Sequence, residues 1–165
     1  MDRRALLHRL DQSWTAFKNS YAGLSDAELL EAGVTKAWSV RDIIAHVTTW
    51  EEEALEHLPA ILEGHRPPRY STTYGGIDAF NALMTTKKKH LSLAEILREQ
   101  ETIHGRLLHV IEQAPEDQFV RETRFRRRIR LDTYGHYPKH TQAIQRWRDR
   151  REAVTAPLRR TPAVD

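Results

Sequence analysis

The chain has 165 residues, of which 39% are hydrophobic and 30% charged, a length and balance that fit one globular domain. Lys plus Arg is 26 and Asp plus Glu is 23, so the net charge is only +3 with His neutral, less than a dedicated nucleic-acid binder usually carries. There is no Cys, which excludes a disulfide framework, a thiolate metal site and a cysteine nucleophile; metal chemistry would have to rest on carboxylates and the nine His.

Leu7, Leu10, Trp14, Phe17 and Tyr21 step by three or four residues and predict a first amphipathic helix. Ser25 to Glu28 reads as a capping box that opens a short helix ended by Gly33. Ser39, with Asp42 three residues on, opens a second long helix. Its stripe runs Val40, Ile43, Val47, Trp50, Ala54, Leu58 and Ile61, until Gly64 and Pro67-Pro68 stop it. After a polar loop ending at Gly75-Gly76, Ile77, Phe80, Leu83 and Met84 predict a short helix. Ser92 to Glu95 is another capping box, leading a helix through Leu97, Leu107 and Ile111 that stops near Pro115.

Phe119 to Leu131 comes nearest to strand alternation and allows at most one hairpin. The last helix begins between Asp132 and Pro138 and includes Ile144 and Trp147. Residues 155–165 read as a disordered tail, which leaves 1–154 as the single domain. Four long helices with shorter ones between them make an all-α four-helix bundle the expected fold, with middle loops long enough for a crossover. No stretch approaches the roughly 20 apolar residues of a membrane span, and Met1 to His8 lacks the apolar core of a signal peptide. The expected location is the cytoplasm, with no membrane partner.

His140, Ile144 and Trp147 share a helical stripe, and His136 lies four residues before His140. His46 lies between Ile43 and Trp50, at the border of the inward stripe of the second helix. Two imidazoles on consecutive turns and a third from another helix give three neutral nitrogen ligands with positions left open. Zn, Ni, Fe and Mn all accept such a set, and the residues do not choose among them. The plainer alternative is that each is a hydrogen-bonded core histidine.

Trp38-Ser39-Val40-Arg41-Asp42-Ile43-Ile44-Ala45-His46-Val47-Thr48-Thr49-Trp50-Glu51 resembles the second-helix signature of the DinB/YfiT-like metalloenzymes. Asp132-Thr133-Tyr134-Gly135-His136-Tyr137-Pro138-Lys139-His140, with Ile144 and Trp147 after it, is similar to their last-helix motif. Ile77-Asp78-Ala79-Phe80-Asn81-Ala82 is also similar to these proteins, and the ending is closest to the ClbS/DfsB-like branch. The resemblance implies an up-down-down-up four-helix bundle, frequent dimerisation, and a divalent ion at the positions of His46, His136 and His140. It further implies metal-dependent hydrolysis or thiol-dependent transfer on a small molecule, in detoxification or stress protection, with any thiol supplied from outside as a low-molecular-weight cofactor.

Pro138 bears on the ligand pair. If the last helix starts near Tyr137, His136 precedes it; if it starts near Asp132, a reasonable cap, Pro138 kinks it at the two His. The second start is the expectation. Trp50 and Tyr134 are candidate substrate contacts, Tyr137 is expected to pack, and His104, on a stripe with Gln100, Leu107 and Ile111, is expected to be a structural core residue. No residue stands out as a general base, and Glu51, Glu52 and Glu53 read as a solvated face. Arg121, Arg124, Arg126, Arg127, Arg128 and Arg130 read as a solvated connection offset by Glu112, Glu116, Asp117 and Glu122. Nucleic-acid or anionic-partner binding through this run, or a metal-free binding or protective bundle, is the alternative function.

Overall fold

The computed structural model describes residues 1–155, and residues 156–165, most of the expected tail, lie outside the described part. The helices are α1 (Arg3–Tyr21), α2 (Asp26–Leu30), α3 (Val40–Leu62), α4 (Tyr70–Thr73), α5 (Ile77–Lys88), α6 (Leu93–Gln113), α7 (Asp117–Val120), α8 (Arg124–Asp132) and α9 (Tyr137–Thr155), with no strand among the described residues. The three serine starts are capping boxes: Ser25, Ser39 and Ser92 each accept from the backbone N–H three residues on, and Glu28, Asp42 and Glu95 accept from the caps in return. Among the described residues no helix is long and apolar enough to cross a membrane.

Side-chain pairings give the helix directions. Arg3 of α1 reaches the Ala114 carbonyl just past α6, and Tyr21 donates to Gln100 near the start of α6 at 3.0 Å, so these two helices are antiparallel. Trp14 and Phe17 lie against Tyr137, while Arg148 reaches the Ser20 carbonyl at 3.0 Å, so α1 and α9 run the same way. His46 faces His140 and Glu51 faces Tyr137, so α3 opposes α9. Ile96 shares one core cluster with Val40 and Ile43, and Leu107 and Ile111 share the other with Leu58 and Ile61, so α3 and α6 are parallel. The bundle is therefore up-down-down-up. Two parallel neighbours need a return crossover, and residues 63–92 supply it along α3: Tyr70 donates to Glu53 at 2.7 Å, Trp50 donates to Asn81 at 3.2 Å, and Arg41 donates to the Lys88 carbonyl.

The stripe of α3 is buried at every residue named for it, and that of α1 at all but one: Leu7 is only partly buried, and Leu6 takes the core position. The segment thought open to a hairpin is α7 and α8 instead. Thr123 caps α8 by accepting from Arg126 N–H at 3.1 Å, and Phe125 and Ile129, four residues apart, are both fully buried. Two apolar residues at that spacing with Arg between them mimic an alternating strand, although the period is helical.

Candidate metal centre

The turn from α8 to α9 decides where the histidines stand. The last helix starts at Tyr137 and not at Asp132 as expected, and Pro138 falls in its first turn, where its missing N–H costs nothing. Asp132 is no cap for α9: it ends α8, is buried, and pairs with Arg128 Nε four residues back. The chain then turns through residues 133–136, with His136 N–H and Tyr137 N–H both donating to the Thr133 carbonyl, at 2.7 and 2.9 Å. Gly135 is required here, since a Cβ would stand 2.6 Å from the Arg130 carbonyl oxygen. His136 is thus presented by a tight turn, His140 by the first turn of α9, and no kink separates them.

Both still meet His46. Its Nε2 is 3.2 Å from His136 Nε2, which is 2.9 Å from His140 Nε2. The ring planes cross at 65° to 84°, so three edges converge on one point. Bonds of about 2.1 Å to one ion place neighbouring nitrogens about 3.0 to 3.4 Å apart, close to this spacing. Burial holds all three well below the ordinary imidazole value of 6.5, with His46 at about 3, His136 at about 4 and His140 at about 2; the Lys139 charge adds to the effect at all three, and neighbouring His at His46 and His140. Neutral imidazoles carry a lone pair, and a Nε2–H on His136 cannot satisfy two facing lone pairs equally. The donor set fits a divalent cation: three neutral nitrogens, no competing cation among them, and open positions beyond.

Trp38 and Trp50 flank His46 with ring centres 5.0 and 6.4 Å from it, and Trp50 lies 6.0 Å from His136. Beside His46, a cavity of about 10 Å³, enough for one water, is lined by Arg41, Asp42, Thr49, Asn81, Thr85 and Lys88 among others. Trp50, one candidate substrate contact, therefore stands at the cluster. Tyr134, the other, belongs to the lower core, where its ring takes the Arg9 guanidinium at 5.2 Å.

The acidic run of α3 departs from the solvated reading. Glu51 is completely buried, accepting from the Tyr137 hydroxyl and pairing with His104 Nδ1 at 3.0 Å. Its position was detectable: it lies four residues after Val47 and three before Ala54, on the inward stripe itself. His104 is the expected core histidine, stacked on Trp14 at 3.7 Å. Of the arginine run, Arg128 is not solvated either; it donates to Tyr70 at 2.8 Å and pairs with Asp132, while Arg121, Arg124, Arg127 and Arg130 are exposed.

Three solved structures share the fold. An uncharacterised Escherichia coli UTI89 protein aligns with TM-score 0.76 at 15% identity, covering 92% of this chain and 95% of its own. DfsB, described as a sibling lethal factor precursor, gives 0.76 at 14%, covering 92% and 97%. The colibactin self-resistance protein ClbS, in complex with a dsDNA, gives 0.74 at 13%, covering 89% and 95%. No curated protein sequence matches the chain. The sequence model of the DinB superfamily matches residues 9–142, and the chain belongs to that superfamily.

Proposed function

We propose that the protein is a divalent-metal-dependent hydrolase or thiol-dependent transferase acting on a small molecule, with His46, His136 and His140 as the metal ligands. The observation that carries this reading is the convergence of three largely buried, neutral imidazoles from two separated segments on one point. A divalent cation there, Zn, Ni, Fe or Mn, supplies Lewis acidity toward a water, an external thiol or a polar group of the substrate. The chain's own residues do the rest. Trp38 and Trp50 wall the approach to His46, and Asn81 fixes the Trp50 indole through its N–H. The polar cavity between α3 and α5, lined in part by His46, Asn81 and Lys88, has room for one water beside the cluster. The expected setting is the cytoplasm, and the expected assembly is the homodimer that the family resemblance implies.

Metal analysis of the purified protein, beside His46→Ala and His140→Ala, tests the reading. One equivalent in wild type, lost in both variants, is the expected result; wild type without metal after metal-replete growth defeats it. Arg121, Arg124 and Arg127, all exposed, together with the dsDNA complex of ClbS, favour one second reading, nucleic-acid binding. Affinity for duplex DNA that falls steeply with salt supports it, and absence of binding at low salt removes it.

A further inference from the structure

Glu51 is fully buried, and its two neighbours by hydrogen bond come from two other helices: the Tyr137 hydroxyl of α9 and His104 Nδ1 of α6 at 3.0 Å. Tyr137 follows His136 directly and precedes His140 by three residues, so this contact grips the middle of the ligand-bearing segment. The grip is itself held. Tyr137 is fully buried with Trp14 and Phe17 at 5.6 and 6.0 Å, and the His104 ring lies flat on Trp14. The second carboxylate oxygen, Oε2, is buried with no partner among the described residues. A carboxylate kept at such a place is a poor device for stability, because an apolar residue of the same volume fills the space without an unpaired oxygen. In some proteins a buried polar contact instead fixes the register between helices.

We propose that Glu51 is a positioning residue for the imidazole cluster. It fixes the height of α9 against α3, so that His46 meets His136 and His140 at Nε2. Sliding α9 by one residue moves its side chains by about 1.5 Å along the axis and 100° around it, enough to break a three-ligand set. This inference rests on the metal-centre reading, and its test separates the two.

The variants are Glu51→Leu, Glu51→Gln and Tyr137→Phe, with Zn²⁺ as the probe in isothermal titration and far-UV circular dichroism as the control for folding. Wild type is expected to bind one Zn²⁺. Glu51→Leu and Tyr137→Phe are expected to bind it about 10- to 100-fold more weakly with helicity retained. Glu51→Gln keeps an acceptor oxygen for Tyr137 and is expected to recover most of the loss. Zn²⁺ affinities equal to wild type in both Glu51→Leu and Tyr137→Phe overturn the positioning role; Tyr137→Phe decides alone if Glu51→Leu does not fold. If wild type takes up none of Zn²⁺, Ni²⁺, Fe²⁺ and Mn²⁺, the metal reading fails, and the positioning role is read from imidazole ¹H–¹⁵N shifts of the metal-free proteins. Shifts of His46, His136 and His140 that all move in Tyr137→Phe support it, and unchanged shifts overturn it.

Discussion

Acid should unfold the metal-free protein through its histidine cluster. The three imidazoles sit at about 3, 4 and 2 when folded and near 6.5 when unfolded. A base depressed by folding takes up its proton first in the unfolded chain. Its stability contribution is therefore complete above about pH 6.5 and is lost as pH falls toward the folded value. Between pH 7 and pH 5 one such imidazole costs about 2 kcal/mol, at about 1.4 kcal/mol per unit, and three cost up to about 5 kcal/mol, a large share of a typical total stability. Asp132 works the other way. Burial pushes its carboxyl up to about 7 against the pull of Arg128, so it gains a proton in the folded state over the same interval and stabilises it. The histidine share is thus read as a difference. Urea unfolding at pH 7 and pH 5 with a chelator present should show wild type losing about 2 kcal/mol more than His140→Leu. Equal losses in the two proteins would refute the claim that these imidazoles are held neutral by burial.

Two further outcomes follow from the backbone. Gly135→Ala places a methyl 2.6 Å from the Arg130 carbonyl oxygen, so the turn must open; a loss of about 1 to 3 kcal/mol in urea unfolding is expected, with weaker Zn²⁺ binding because His136 sits on that turn. Ser39→Ala removes the acceptor for the Asp42 N–H at the start of α3 and should cost about 1 kcal/mol in the same assay, leaving the Zn²⁺ affinity of the folded protein within a few-fold.

Much of the bundle was legible in the sequence because its helices announce themselves locally. Ser25, Ser39 and Ser92 carry their own partners three residues on, and the α3 stripe keeps its period over seven apolar positions. Where the reading failed, two local signals were in competition. At Phe125 and Ile129 a helical spacing of four coincided with a strand spacing of two, and the intervening arginines do not separate them. At Asp132 the residue type suits a cap, but Arg128 one turn earlier claims its carboxylate, and Pro138 is then free to lie in the first turn of a helix starting at Tyr137.

The site divides along the same line. His46, His136 and His140 were found from periodicity and resemblance together, although the argument from consecutive helical turns was wrong for His136, which a tight turn presents instead. The three imidazoles converge all the same, because a turn and a helix start can bring two side chains to the same point as two helix turns do. Glu51 was misjudged for a different reason. Three successive carboxylates on a helix point about 100° apart, so with core on one side they cannot all be wet. Of the three, only Glu51 lies in phase with Val47 and Ala54, and its burial becomes tolerable only through Tyr137 and His104, which are 86 and 53 residues away. Composition treats that carboxylate as surface charge; periodicity places it inside, and the distant hydroxyl and imidazole make the inner position possible. A charged residue in phase with an apolar stripe is therefore better read as a question about its partners than as an error in the stripe.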